Sequence, residues 1–256
     1  MSTAPRVETK AIADFYDAFA IKGIQDYVFG NARISSAIDR CCSVIDHRTR
    51  KILDVGCGIG ATSYEFHRRN SWVNVLGVDI SPQRIAIAQR LFESPHVKFE
   101  VSAITGVPPG APYDLITMID VYEHFPRRQW PAFHRILAQS LTDAGTMVLT
   151  TPTSLHQSYL ATHKPEALQV VDETVETDDV VELARDTGGT IVCYDMVSIW
   201  NTNDYLHVVI SRCPRYEPVE RKPGRRWRWR FPKMLSRRVE LRRRRRVVHA
   251  KLGVRI

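Results

Sequence analysis

At 256 residues, 44% of them apolar and 25% charged, the chain is long enough for one substantial core with a cap or tail added. No apolar run approaches the roughly 20 residues of a membrane-spanning helix, and the opening MSTAPRVETK has no apolar stretch of the kind a secretory leader needs. Five scattered cysteines (Cys41, Cys42, Cys57, Cys193 and Cys213) form no CxxC pair, which argues against a disulfide framework or structural zinc and for a reducing, cytoplasmic setting.

Residues 1–46 come first. TKAIADFYDAFA (9–20) and ARISSAIDRCCSVI (32–45) space their apolar residues near 3.6, which predicts an N-terminal helical cap. Strands then alternate with helices. Ile52–Val55, Val73–Val78, Val97–Val101, Asp114–Ile119 and Thr146–Thr150 read as strands, and Ala61–Arg69, Pro82–Phe92 and Arg127–Ser140 as the helices between them. Ser81-Pro82 is a good helix start, a capping hydroxyl followed by a ring that suits the first turn. Asp143-Ala144-Gly145 marks a turn before the fifth strand.

Residues 152–175, rich in His, Pro and Thr, read as an irregular segment. A helix over Asp178–Asp186 follows, then TIVCYDMVSIW and DYLHVVISR, two strand-like runs joined by NTND as a β-hairpin. The alternation predicts a mainly parallel α/β sheet with helices on both faces over residues 47–213. Pro214, Pro218, Pro223 and Gly224 mark a linker, so residues 214–256 form a separate basic tail.

The net charge of +8 hides this division. From Arg221 onward the chain carries 16 Lys and Arg but one acid, Glu240, whereas residues 1–220 hold 20 bases and 27 acids. In the tail, Trp227, Trp229 and Phe231 alternate with Arg226, Arg228 and Arg230, Met234, Leu235, Val239 and Leu241 sketch a short apolar helical face, and Arg242–Arg246 run consecutively. The bland reading is a solvated basic extension. Among partners, an anionic membrane surface or anionic glycan fits best, because tryptophan prefers the headgroup zone and basic residues gain from an anionic leaflet. Nucleic acid fits less well, since the body that would hold an active site is acidic. Contact between the tail and the acidic body is a further reading.

The chemistry concentrates in KILDVGCGIGATSYEF (51–66). In open α/β sheets ligands bind beyond the carboxyl ends of the strands, where Gly56, Gly58 and Gly60 let backbone approach a ligand closely. GCGIGA alone also satisfies the dinucleotide pattern GxGxxG/A. Three features argue for a cofactor without a pyrophosphate. Asp54 stands before the glycines, repulsive to a pyrophosphate but suited to an ammonium and a sulfonium. Asp79, in LGVDIS, ends the second strand, placed to accept both ribose hydroxyls, a feature that alone fits either cofactor. The fourth strand runs into YDLITMIDVYEHF, an edge of acids and histidine on the same rim.

Taken in order, ILDVGCGIG, LGVDIS and YDLITMIDVYEHF resemble the class I S-adenosylmethionine-dependent methyltransferases, of the small-molecule type that includes ubiquinone, sugar and secondary-metabolite enzymes. The resemblance covers residues 50–151. It implies a Rossmann-like, doubly wound, seven-stranded sheet, mainly parallel with an antiparallel last strand, and S-adenosylmethionine as cofactor. By the same resemblance Asp54 and the turn Gly56, Cys57, Gly58 and Gly60 line the methionine part, Asp79 grips the ribose and Ile80 packs on the adenine. Where many members carry an acid for the adenine amino group, FEVSAIT offers Ser102 and Ala103, an uncharged and weaker partner.

Transfer to an alcohol needs a general base, and His suits neutral pH. His124 lies on the ligand-binding rim; His156 and His163 lie in the 152–175 segment, where this family builds its substrate wall. Asp120 reads as a cofactor or loop-ordering contact, and Glu123 as a helix N-terminal acid. Tyr16 and Tyr27 could close over an acceptor. Asp172, Glu173, Glu176, Asp178, Asp179 and Glu182 cluster, but capping by Thr177 followed by Asp178 and Asp179 explains half of them, so no metal is expected.

An Asn- or Asp-Pro-Pro-aromatic motif, a nucleophilic cysteine after the fourth strand and a paired-glutamate loop are absent, which argues against adenine-, cytosine- and arginine-methylating relatives. The expectation is O-methylation of a small-molecule hydroxyl, a saccharide, glycolipid or secondary metabolite, in the cytoplasm or at the inner face of the membrane. The alternatives are a nucleic-acid-modifying or RNA-binding protein, a dinucleotide oxidoreductase, and a scaffold that binds the cofactor without turnover.

Overall fold

The computed structural model describes residues 20–169, 171–215 and 234–254, with side chains in the last segment from 239 onward. Two helices open it, α1 (Ala20–Phe29) and α2 (Ala32–Val44), where the cap was expected. Asn31 starts α2, its side-chain oxygen accepting from the backbone N–H of Arg33 and Ile34 at 3.0 and 3.4 Å. The helix expected over 9–20, and Tyr16 with it, lie outside the described residues apart from Ala20.

Seven strands form one sheet. They are β1 (Lys51–Val55), β2 (Asn74–Asp79), β3 (Val97–Val101), β4 (Tyr113–Ile119), β5 (Leu141–Pro152), β6 (Thr190–Val197) and β7 (Tyr205–Ser211), in the order β3-β2-β1-β4-β5-β7-β6. β1 to β5 pair in parallel, and β7 runs antiparallel to both β5 and β6. This is the expected Rossmann-like sheet, six strands one way and the last reversed. The order turns between β1 and β4, the place where such sheets bind ligands.

Helices α3 (Ala61–Arg69) and α4 (Pro82–Phe92) follow β1 and β2, and α5 (Trp130–Ser140) precedes β5. The central strands β1, β4 and β7 bury both faces, whereas the edge strands β3 and β6 leave one face exposed. On β1, Ile52 joins the core under α1 to α4, while Leu53 and Val55 join the core under α5. The two-residue period therefore turns Asp54 to the Ile52 face, beneath the start of α3. The core strands read as continuous apolar runs for this reason.

Three local expectations differ from the structure. β5 starts at Leu141, and the Asp143–Gly145 turn is absorbed as a register shift against β4. Residues 152–175 are not irregular throughout, because α6 (Ser154–His163) occupies ten of them, capped by Thr153, whose hydroxyl accepts from the His156 N–H. Next, α7 (Thr177–Asp186) begins one residue early, with Glu176 rather than Thr177 as its cap. The Glu176 side chain takes an N–H of the first turn, and Asp179 reaches back to the Glu176 N–H at 2.8 Å.

The tail is not a bare extension either. Helix α8 (Met234–Leu252) packs on α1 and α4. Val248 is fully buried, in the same cluster as Tyr27 and Phe92, with Leu241, Val247 and Leu252 packed beside it. Lys251 donates its ammonium to the Leu91 carbonyl at 2.7 Å, and Arg90 donates to the Lys251 carbonyl at 2.8 Å. The Trp227, Trp229 and Phe231 pattern lies outside the described residues.

Candidate functional site

The turn after β1 divides its labour among three glycines. A Cβ on Gly60 (φ 83°) would meet the Phe99 ring at 2.6 Å and the Ala88 Cβ at 2.9 Å, so this glycine lets α3 settle against β3 and α4. A Cβ on Gly56 (φ 68°) would meet Val121 at 2.3 Å. Only Gly58 (φ 56°) faces open space, with nothing within 4 Å of the added carbon. That space is the cradle a ligand would fill, so the turn fits a bound cofactor.

Asp54 is placed differently from the sequence expectation. It is 1% exposed and lines neither cavity, because it lies under the turn. Thr62 and Ser63 donate their hydroxyls to one carboxylate oxygen at 2.6 Å each, and Thr117 donates to the other at 2.8 Å. Burial pushes its pKa up, and the three hydroxyls pull it back. Asp54 thus pins β1, β4 and the first turn of α3 together and shapes the cradle from below. Cys57, by contrast, lines the wider cavity, and burial drives its thiol well above the usual range.

Asp79 sits at the end of β2 and is 5% exposed. One oxygen accepts the Gly58 N–H and the other the Ser81 N–H, both at 2.9 Å. It lines a narrow pocket of about 150 Å³ whose walls are Ile80, Ser102, Ala103, Ile104, Val121, Phe125 and Gln129. An apolar slot with a carboxylate inside suits a nucleoside, rings between aliphatic side chains and ribose hydroxyls on the acid. Ser102 stands where the sequence placed it, but its hydroxyl oxygen also accepts from the Ile104 N–H at 3.1 Å and so holds Ile104 at φ 50°. Ile104 and Phe125 were missed, since an apolar wall residue looks like any core residue in sequence, and Gln129 because a lone amide in a turn carries no signal.

The slot continues into a cleft of about 610 Å³. Gly56, Arg84, Asp120 and His124 line both. Asp120, at φ 52°, forms an ion pair with Arg33 in the first turn of α2. An acid and a base side by side match a ligand carrying an ammonium and a carboxylate. Arg33 was also missed, because nothing in ARISSAIDR marks it as aimed at a site 87 positions away.

His124 is the only one of the three candidate bases that reaches these cavities. Its Nδ1 donates to the Val171 carbonyl at 2.8 Å, and its Nε2 lies 3.9 Å from Glu123 Oε1. A carbonyl can only accept, so Nδ1 carries a hydrogen, and in the neutral form of the ring the basic nitrogen is Nε2. Glu123 is not a helix N-terminal acid. It is 1% exposed in a 3-10 turn, neither carboxylate oxygen has a hydrogen-bond partner, and burial raises its pKa.

His156 and His163 lie away from these cavities. His156 lies on α6 between the rings of Tyr159 and Tyr205, 6.5 and 6.1 Å away. His163 is exposed in the last turn of α6, where its Nδ1 bonds the Tyr159 carbonyl at 3.1 Å. Neither lines the narrow pocket or the wide cleft. Of the acidic cluster, Asp179 pairs with Arg127 and Asp172 accepts from Gln157 at 2.7 Å. Among the described residues no group of three or more His, Cys, Asp or Glu is set to hold a metal ion.

The chain was compared with known proteins. A family model described as a methyltransferase domain matches residues 26–236. Ajmaline N-methyltransferase from Rauvolfia serpentina is 30% identical over 110 residues, 41% of this chain and 36% of that protein. Trans-aconitate 2-methyltransferase from Methylobacterium nodulans is 24% identical over 187 residues, 71% of this chain and 70% of that protein. Among solved structures, magnesium protoporphyrin IX methyltransferase from Synechocystis with bound S-adenosylhomocysteine superposes with a TM-score of 0.62 at 20% identity, over 80% of this chain and 99% of that one. The 1,6-didemethyltoxoflavin-N1-methyltransferase from Burkholderia thailandensis, with 1,6-didemethyltoxoflavin and S-adenosylhomocysteine bound, has a TM-score of 0.62 at 18% identity, over 82% and 91%.

Proposed function

The chain belongs to the methyltransferase-domain family, and from that premise we propose that it transfers a methyl group from S-adenosylmethionine to a hydroxyl oxygen of a small molecule. When bound, the cofactor supplies an electrophilic methyl on a sulfonium. The residues that would hold it are Asp79, Ile80, Ser102 and Ala103 at the nucleoside end. At the methionyl end they are Gly56, Cys57, Gly58, Asp120 and Arg33.

The observation that carries the choice of oxygen is His124. It borders both the slot and the cleft, and with Nδ1 committed to the Val171 carbonyl, Nε2 is its basic nitrogen when the ring is neutral. A hydroxyl must lose its proton as oxygen bonds to carbon; Nε2 takes it. The imidazolium that forms is held by the Val171 carbonyl on one side and faces the Glu123 carboxyl at 3.9 Å on the other. Alignment of two reactants in one cleft supplies about 7–11 kcal/mol, and the base adds roughly 10²–10⁴-fold. Polar and charged side chains in the wide cleft, Asp26, Asn31, Arg33 and Arg244 among them, support the narrower reading, a saccharide, glycolipid or secondary-metabolite hydroxyl.

The outward arginines of α8 favour one partner reading over the others. Arg242, Arg243, Arg245 and Arg246 are exposed on a helix that is itself docked, which supports attachment of a cytoplasmic enzyme to an anionic membrane surface. RNA is the competing partner, and co-sedimentation with anionic vesicles against RNA binding separates the two.

Calorimetry with S-adenosylhomocysteine, followed by turnover of His124→Ala on a panel of hydroxylated acceptors, tests the proposal. The variant should bind the cofactor product normally and turn over at least ~100-fold more slowly. Unchanged turnover would remove His124 from the chemistry.

A further inference from the structure

Five consecutive arginines, Arg242–Arg246, look interchangeable in sequence, but the helix does not treat them alike. A helical period of 3.6 puts Leu241, Arg244, Val248 and Leu252 on one face. Val248 is fully buried and Leu241 and Leu252 pack beside it, while Arg242, Arg243, Arg245 and Arg246 are exposed. Arg244 is the one arginine of the run that turns inward, and it lines the wide cleft.

Its guanidinium is held in place. Nε donates to Glu240 at 3.0 Å, Nη1 donates to the Tyr27 carbonyl at 2.8 Å, and the group lies 5.1 Å from the centre of the Tyr27 ring. These bonds use two of its five N–H groups. Glu240 does not cancel the charge, because the same carboxylate also faces Arg243 at 3.4 Å. Elsewhere in the cleft most charges have an opposite neighbour: Arg84 faces Asp79 at 4.0 Å, and Glu166 adds one further acid to the lining. Asp120 meets Arg33, and Glu65 meets Arg69. Lys22 and Asp26 stand one turn apart on α1 with opposite signs.

We infer that α8 is part of the acceptor site and that Arg244 receives an anionic oxygen group of the acceptor, a carboxylate or a phosphate, which makes it a specificity-determining residue. A guanidinium fork fits either group through paired N–H bonds, and one already ordered by its neighbours loses little freedom when it binds. The inference rests on the reading above that the wide cleft takes the acceptor. It turns the tail, in part, from an appendage into a wall of the site.

The test uses full-length protein saturated with S-adenosylhomocysteine. Two pairs of probes are titrated in, 3,4-dihydroxybenzoate against its methyl ester, and glucose 6-phosphate against glucose. The expected result is at least ~10-fold tighter binding of the charged member in one pair, which also tells carboxylate from phosphate. Arg244→Gln should abolish that gap, Arg244→Lys should restore part of it, and Arg246→Gln on the exposed face should leave it intact, all with unchanged thermal melting. No preference for charge in either pair, or a preference that survives Arg244→Gln, overturns the inference. Weakened S-adenosylhomocysteine binding by Arg244→Gln also overturns it, by assigning the residue to the cofactor. Failure of the unaltered protein to bind S-adenosylhomocysteine would instead strike the methyltransferase reading.

Discussion

Arg33, in the first turn of α2, sets its guanidinium against the carboxylate of Asp120, the residue that follows β4. The two charges meet where the narrow slot opens into the wide cleft. If they receive the methionyl end of the cofactor, Arg33→Ala should weaken S-adenosylhomocysteine about 10-fold or more. It should leave 5′-methylthioadenosine, which lacks that end, unaffected. Calorimetry with both ligands decides; equal losses would mean that the pair only shapes the slot.

Gly58 and Gly60 should respond in opposite ways to the same small change. Gly60→Ala drives a methyl into Phe99 and Ala88, so it should unfold the protein at markedly lower denaturant, by about 1–3 kcal/mol. Gly58→Ala meets nothing and strains only its backbone, at roughly 1 kcal/mol. Its loss should appear in cofactor affinity. Urea unfolding beside calorimetry separates the two, and a Gly58→Ala protein with intact affinity would take the cradle away from the cofactor.

The buried carboxyl of Glu123 makes stability depend on pH in a stated direction. Burial holds its folded pKa above the usual glutamate value, against the opposing pull of His124 and Arg33, while Asp172 adds to the rise. Between the unfolded and folded values the native state therefore binds more protons than the unfolded chain, and stability falls as pH rises. Glu123→Gln removes this loss. The variant should gain at least ~2 °C over the unaltered protein on going from about pH 5 to about pH 8. A constant difference in melting temperature across that range would show that Glu123 does not titrate as described.

The sheet was readable because its signals are periodic and local. Ile52, Leu53 and Val55 alternate between two cores, and the Ser81-Pro82 start held, with the Ser81 hydroxyl accepting from the Arg84 N–H at 3.1 Å. Gly58, Asp79, Ser102 and His124 could be located because each stands at, or a few residues past, a strand end. The failures have the opposite character. Asp54 reads as a ligand contact until its face of β1 is known, since only the hydroxyls of Thr62, Ser63 and Thr117 reveal that it is consumed beneath the turn. His156 and His163 shared a segment with the substrate wall, but α6 turns them to Tyr159 and Tyr205. Arg33 and Arg244 depend on contacts made across the whole fold, which spacing does not encode.

Tyr27 and Arg244 touch across 217 positions of sequence, whereas the narrow pocket is assembled entirely from residues 55–129. On the proposed reading, the nucleoside's berth is thus written within one part of the chain, and the Tyr27–Arg244 wall of the cleft at two distant ones. On that reading, substitutions on α8 can retune what enters the cleft while the residues of the slot stay as they are. Selection can therefore trade one acceptor for another while the methyl donor stays the same.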